Sequence, residues 1–408
     1  MEKFIINGAR PLSGNIEISG SKNAALPLIF ASLTTYGVST LHSVPDISDV
    51  RVAIDIISSL GAVVERKGSD LIIDTHNLSY RRPSDSLVSA IRASSYLLGA
   101  NLARFKTAHL QSFGGCNFDL RPIDMHISAM TLMGACQIGD RFVAHRLCGA
   151  DIYFDKVSVG ASVNALIIAA SAEGKSRIFG YAKEPHVILL IDYLRSAGAD
   201  ISVFPDRIEV VGAHLKGAEA EIIPDMIEAG TFLALSLMTG AEISISRVVP
   251  EHLSSFCRPF AEAGAKIDFV DGRATVGGAL FDFVDIYTEP YPGFPTDLQP
   301  QAAPLLAAFC GGRITENVWK GRFGYLKELE KFGIRYDRCE CGAIIRPSSI
   351  RPAIADAPDL RGGAALIMAA LFARGESVIT SSEIIKRGYS DIVAKLRSVG
   401  ADIEEIGR

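Results

Sequence analysis

The sequence predicts an α/β protein of two barrel-like domains, each made of three βαβ-type repeats with apolar helices inside and sheets outside. Three observations carry this expectation. A Gly-centred phrase recurs six times: Leu60-Gly61-Ala62, Met133-Gly134-Ala135, Ala197-Gly198-Ala199, Ala263-Gly264-Ala265, Phe332-Gly333-Ile334 and Val399-Gly400-Ala401. The glycines fall roughly 65 to 75 residues apart, too long for a solenoid repeat and long enough for a small subdomain. A run that is apolar on every side recurs with the same period, as a buried helix requires.

Taken in order, the phrase reads as a helix closed by Gly and followed by a strand. The helices before these glycines are amphipathic. In Val50 to Leu60, apolar residues fall at helical spacing with Arg51, Asp55 and Ser58 between them. The apolar helices are expected at Ala24–Leu33, Ala90–Leu102, Val163–Ala170, Phe232–Met238, Ala302–Phe309 and Ala364–Phe372. After most of them come a Gly and a short strand, as in Gly37–Leu41, Gly174–Ile178, Gly240–Ile245, Gly312–Thr315 and Gly375–Ile379.

Composition narrows the function classes. With 408 residues, 48% hydrophobic and 21% charged, the chain is long enough for two cores and too apolar for disorder. A net charge of -5 excludes non-specific nucleic-acid binding, which needs clustered positive charge. Seven scattered cysteines form no disulfide framework, and Cys339 and Cys341 lack metal-site spacing, so no metal is expected. No apolar run reaches the roughly 20 residues of a membrane span, and the first residues lack a signal-peptide core. The expectation is a cytoplasmic protein without membrane partners.

Polar residues gather where the apolar helices start: Lys22 and Asn23, Ser89 and Arg92, Asp155 to Gly160, Glu228 to Thr231, Thr296 to Gln299, and Asp359 to Arg361. Helix N-termini suit anions. Asp297 and Asp359 read as caps. Lys22, Arg92, Lys156 and Arg361 do not, because a cation there opposes the helix dipole. They point to an anionic ligand. Between two repeats lies Gln111-Ser112-Phe113-Gly114-Gly115-Cys116, followed by Arg121 and Asp124. A thiol in a Gly loop beside cations is suited to act as proton donor or nucleophile; taken alone, the stretch reads first as a Gly turn with an inert, half-buried cysteine.

Ser19-Gly20-Ser21-Lys22-Asn23-Ala24-Ala25-Leu26-Pro27 resembles the first signature of the UDP-N-acetylglucosamine enolpyruvyl transferases of bacterial cell-wall synthesis. Gly114-Gly115-Cys116 through Arg121-Pro122-Ile123-Asp124-Met125-His126 resembles their catalytic loop. Asp155 to Ala161, Phe294 to Gln299 and Arg387-Gly388-Tyr389 resemble later blocks, in family order across the chain. The resemblance implies two inside-out α/β domains of the enolpyruvyl transferase fold. One would span residues 21–228, the other 1–20 plus 229–408, with the active site in the cleft between them. It implies transfer of the enolpyruvyl group of phosphoenolpyruvate to the 3′-hydroxyl of UDP-N-acetylglucosamine, with release of phosphate and no cofactor. It also implies alkylation by fosfomycin.

On that resemblance Cys116 is the proton donor and Asp297 the base. Lys22, Arg121 and Arg387 hold phosphoenolpyruvate, with Arg92 and Arg361 nearby. Asn23 contacts the sugar. Arg121, Pro122, Ile123, Asp124, Lys156, Ser158 and Gly160 line the nucleotide pocket, and Arg322 and Asp359 adjoin the substrates. No oligomer is required. The chain departs from the family pattern at His186, Met226, Lys320-Gly321, Gly362-Gly363 and Ile384-Ile385-Lys386. Two alternatives follow: a paralogue acting on another uridine-containing acceptor, or a non-catalytic homologue. Joint retention of Lys22, Cys116, Arg121, Asp297 and Arg387 speaks against the second.

Overall fold

The computed structural model describes residues 2–114 and 122–407. They divide into two compact units. The first comprises residues 20–114 and 122–223, the second residues 2–19 and 224–407. Each has its own apolar core. Among the described residues there are six sheets, three in each unit, one for each copy of the sequence phrase.

Five sheets share one topology: a parallel pair, then two antiparallel neighbours. In the first unit Val38–His42 pairs in parallel with Glu219–Glu221 and antiparallel with Asp70–Asp74, which pairs with Val63–Lys67. In the second unit Val284–Thr288 runs parallel to Gly312–Glu316, which continues to Gly342–Arg346 and Arg335–Cys339. The N-terminal strand Lys3–Asn7 lies between Glu376–Thr380 and Asp402–Ile406, so the chain's two ends share one sheet. The sixth sheet has three strands, Thr107–His109, Arg141–Val143 and Cys136–Ile138, all antiparallel. In this repeat the connection from the first strand to the outer helix Asp124–Leu132 runs over residues 110–123, against 43–47 in the first repeat. The longer connection carries the Gly-Gly-Cys stretch.

All six phrase glycines, 61, 134, 198, 264, 333 and 400, adopt positive φ, from 85° to 118°. This backbone ends a helix and turns into a strand, and only Gly adopts it without strain. The expected helices follow. Lys22–Ala31, Val159–Ala169, Met226–Thr239, Gln299–Ala308 and Leu360–Phe372 are buried along nearly their whole length. In the second unit the three buried helices touch one another pairwise. Each fully buried Leu, Ile or Phe contributes about 1.5–3 kcal/mol, and these helices form part of the unit's core together with the inner faces of its sheets.

Two expectations need correction. The apolar helix expected at Ala90–Leu102 is broken: a 3-10 turn at Arg92–Tyr96 leads into a helix at Leu97–Phe105. The Ser94 hydroxyl lies 2.6 Å from the carbonyl oxygens of both Val88 and Ile91, and its one proton, given to either, competes with helical pairing. Glu228 to Thr231 do not open the fourth helix. It starts at Met226, capped by Asp225, which accepts from the N–H groups of Ile227 and Glu228. The unit division falls earlier, between Ile223 and Pro224. Among the described residues no helix is long and apolar enough to cross a membrane.

Candidate active site

In the second unit Asp297, Arg322 and Arg361 come together. Asp297 does not cap a helix, contrary to the sequence expectation. The helix Gln299–Ala308 has Leu298 at its N-cap with no side-chain bond, while Asp297 sits in a 3-10 turn before it. Its carboxylate pairs with guanidinium groups instead. Arg322 Nη1 lies 2.6 Å from Oδ1, and Arg361 Nη2 and Nε each lie 3.2 Å from Oδ2. Both arginines are almost fully buried, at 4% and 2% exposure, whereas the Asp297 side chain keeps 28%. Two desolvated cations therefore aim at one accessible carboxylate.

Arg361 is held from behind. Asp359 does cap its helix, accepting from the N–H groups of Arg361 and Gly362 at 2.9 and 3.0 Å. The Arg361 guanidinium carbon lies 5.3 Å from the centre of the Tyr389 ring. The Tyr389 hydroxyl bonds Thr231 at 2.8 Å and accepts from Gln301 at 3.0 Å. Tyr389 thus ties the three buried helices, whose interior polar groups need partners. Arg387, two residues earlier, ends the 3-10 helix Ser382–Arg387 and is half-buried.

In the first unit Lys22 opens the helix Lys22–Ala31, and its ammonium lies 2.6 Å from Asp49 Oδ2. The side chains keep 13% and 5% exposure. The cation that opposes the helix dipole is therefore balanced by a buried carboxylate. The Ser-Gly-Ser signature before it is a close approach: a Cβ on Gly20 would stand 1.9 Å from the Ser43 carbonyl oxygen.

The described residues expected at a nucleotide pocket sit at two helix starts. Asp124 is in the first turn of its helix, Ile123 is that helix's N-cap and Pro122 is exposed just before it. Ser158 caps the helix Val159–Ala169, accepting from Ala161 N–H at 3.3 Å, and Lys156 is exposed before it. Between these helix starts lies His126, 4% exposed, whose ring would touch a Cβ on Gly160 at 3.0 Å. Asn164 orients it. The Asn164 carbonyl accepts from Gly99 N–H at 2.7 Å, so its amide donates to His126 Nδ1 at 2.7 Å. The imidazole proton then sits on Nε2. Burial, with the Arg92 charge adding to it, pushes the His126 pKa down to about 4, so the ring is neutral at physiological pH. Burial also lowers the Arg92 pKa. Asn23 is half-buried beside Lys22.

Cys116 and Arg121 lie outside the described residues. The stem leading to them is fixed, since Gln111 donates to Asp85 at 2.7 Å and to the Pro83 carbonyl at 3.1 Å. Asp49, His126 and Asn164 have places in this arrangement that the sequence reading did not foresee. Asn164 had a signal, a lone amide inside an apolar helix. Several departures from the family pattern have local explanations. A Cβ on Gly363 would stand 2.5 Å from Ile385, so these two positions are one packing contact. Lys386 pairs with Glu2 and with Glu405 at the edge of the terminal sheet. Met226 packs against the core.

The chain matches the family described as EPSP synthase (3-phosphoshikimate 1-carboxyvinyltransferase) over residues 6–396. It is 41% identical to UDP-N-acetylglucosamine 1-carboxyvinyltransferase 3 of Caldanaerobacter subterraneus, covering 100% of both chains. It is 40% identical to the UDP-N-acetylglucosamine 1-carboxyvinyltransferase of Halothermothrix orenii, again over 100% of both. Among solved structures it resembles the enolpyruvyl transferase NikO from Streptomyces tendae, with a TM-score of 0.89 and 26% identity over 99% of both chains. EPSP synthase from Acinetobacter baumannii, at 17% identity and a TM-score of 0.75 over 100% of both chains, shares the fold.

Proposed function

The chain belongs to the EPSP synthase family of enolpyruvyl transferases, and from that premise we propose that it is a UDP-N-acetylglucosamine 1-carboxyvinyltransferase. It transfers the enolpyruvyl group of phosphoenolpyruvate to the 3′-hydroxyl of UDP-N-acetylglucosamine and releases phosphate, the committed step into peptidoglycan. The observation that carries the reading is the accessible Asp297 carboxylate between two buried arginines, in a chain whose full-length relatives bear that enzyme's name.

The acceptor hydroxyl attacks C2 of phosphoenolpyruvate while C3 takes a proton from Cys116. The tetrahedral intermediate then loses a C3 proton and phosphate, which re-forms the C2–C3 double bond and yields the enol ether of the acceptor. Atoms and electrons balance without a redox partner or cofactor. Asp297 takes the hydroxyl proton, a role worth about 10²- to 10⁴-fold. Lys22, Arg121 and Arg387 hold the phosphate and carboxylate, with Arg92 and Arg361 as further cations, since a guanidinium fork matches both groups. Pro122, Ile123, Asp124, Lys156, Ser158 and Gly160 bind the nucleotide, with Asn23 on the sugar. In this reading Lys22 and the nucleotide groups belong to residues 20–223, and Asp297, Arg322, Asp359, Arg361 and Arg387 to residues 224–407. One chain carries every group named, so no second copy is needed. The setting is the cytoplasm, where unframed cysteines stay reduced.

Phosphate release from phosphoenolpyruvate is expected only when UDP-N-acetylglucosamine is present. Release with a different uridine nucleotide and none with this acceptor overturns the acceptor; no release with any overturns the activity. Fosfomycin is expected to form one adduct, on Cys116, read by peptide mass. Cys257 is the control: it is buried, and burial pushes its thiol up to about 12. An adduct on Cys257 removes Cys116 from the proton-donor role.

A further inference from the structure

Glu316 ends the strand Gly312–Glu316 and is 0% exposed. A buried carboxylate is stable only when its oxygens are satisfied, and these are. Oε1 accepts from the Thr288 hydroxyl at 2.7 Å and from the N–H groups of Val318 and Trp319, both at 2.9 Å. Oε2 accepts from the Thr296 hydroxyl at 2.9 Å. Thr296 directly precedes Asp297. Its oxygen also accepts from Arg322 Nη1 at 3.3 Å, and the same nitrogen lies 2.6 Å from Asp297 Oδ1.

A hydroxyl has one proton. Because Thr296 spends that proton on Glu316, it presents a lone pair to Arg322. The Arg322 Nη1 donor is then shared between Thr296 and Asp297, two oxygens on adjacent residues. The direction of one hydroxyl, set by the Glu316 carboxylate, orients the guanidinium against the Asp297 carboxylate.

We propose that Glu316 is a positioning residue for the transfer reaction, acting through the polarity of the Thr296 hydroxyl to set the Arg322–Asp297 pair. The proposal rests on the enolpyruvyl transfer reading and on Asp297 acting in it. The substitution that isolates the effect is Glu316→Gln. Its carbonyl can keep the three donors at Oε1, while its amide replaces Oε2 and turns toward Thr296. The hydroxyl must then accept from the amide, and its proton points at Arg322, donor against donor. Glu316→Gln therefore keeps shape and inverts one hydrogen bond.

The test uses the full chain. Glu316→Gln and Thr296→Val are each expected to lower kcat at least 10-fold with KM for phosphoenolpyruvate within about threefold of wild type, a loss in the range of one misplaced catalytic group. Thr296→Ser, which keeps the hydroxyl, is expected to stay within about threefold of wild type in kcat. The double variant is expected to be no slower than Thr296→Val alone, because both changes act through one hydroxyl. A crystal structure of Glu316→Gln is expected to show Arg322 Nη1 moved off Thr296. Full kcat in Glu316→Gln, or multiplicative losses in the double variant, overturns the proposal. So does an unchanged Arg322–Thr296–Asp297 geometry, even where kcat falls. If Glu316→Gln does not fold, the Thr296→Ser and Thr296→Val pair decides, since equal losses in both overturn it. A wild-type protein with no turnover on the two substrates overturns the activity instead, and the crystal structure still decides whether Glu316 sets the pair.

Discussion

Asp297→Ala lowers kcat by at least about 10³-fold, the loss that accompanies removal of a general base together with the charge that orients its neighbours. The geometry explains why the effect exceeds that of an ordinary base. Both carboxylate oxygens already accept from guanidinium donors, Oδ1 from Arg322 and Oδ2 from Arg361. A substrate hydroxyl must share or displace one of these donors. Arg361 Nη1 is buried with no acceptor among the described residues. An anionic substrate group near it would complete its shell and release Oδ2 to the hydroxyl. Alanine removes the acceptor for both arginines and leaves two desolvated cations side by side. Asp297→Asn separates the roles: it keeps an oxygen for one arginine but cannot take a proton. We expect Asn to lower kcat by at least about 10²-fold while binding of phosphoenolpyruvate, measured by calorimetry, changes less than about threefold. Near-normal kcat in either variant, with native circular dichroism, removes Asp297 as the base.

What could be seen in the sequence follows from how local each signal is. The six glycines announce themselves because a helix that ends and turns into a strand needs positive φ, and φ at each bears this out. The buried helices show because residues apolar on every side can only be interior. The break at Arg92–Tyr96 did not show, because composition cannot say that the Ser94 hydroxyl will take the carbonyl of Val88. Asp297 and Asp359 looked alike, each an aspartate before a helix. Only Asp359 caps, and the difference lies in arginines distant along the chain. Glu316 was invisible for the same reason. It reads as a strand-end glutamate until Thr288 and Thr296 are seen to donate to it. Lys22 was noticed for its wrong sign at a helix start, while its partner Asp49 looked like an ordinary first-turn acid.

Lys395→Met is expected to destabilise the second unit by about 3–5 kcal/mol near pH 8, the effect of stranding a buried charge. Glu228 is 2% exposed, in the first turn of the helix Met226–Thr239. Lys395 Nζ lies 2.6 Å from its Oε1 and donates to the Ser19 hydroxyl at 2.6 Å, while Ser19 N–H donates to Oε2 at 2.8 Å. The cluster thus ties the N-terminal segment, the buried helix and the C-terminal helix Ile392–Ser398 of one unit. Burial raises the Glu228 pKa above that of an ordinary glutamate, and the Lys395 charge opposes the rise. Without the lysine the folded-state pKa climbs further. A carboxyl raised in the folded state costs nothing while it is protonated in both states, and the cost grows as pH rises from the unfolded value through the folded one. The deficit of Lys395→Met in urea unfolding should therefore be largest at pH 8 and shrink toward pH 5. Glu228→Gln added to Lys395→Met should recover most of it at pH 8, because a neutral amide needs no cation. A deficit independent of pH, or no recovery in the double variant, would show that Lys395 stabilises through its packed stem and not through the Glu228 charge.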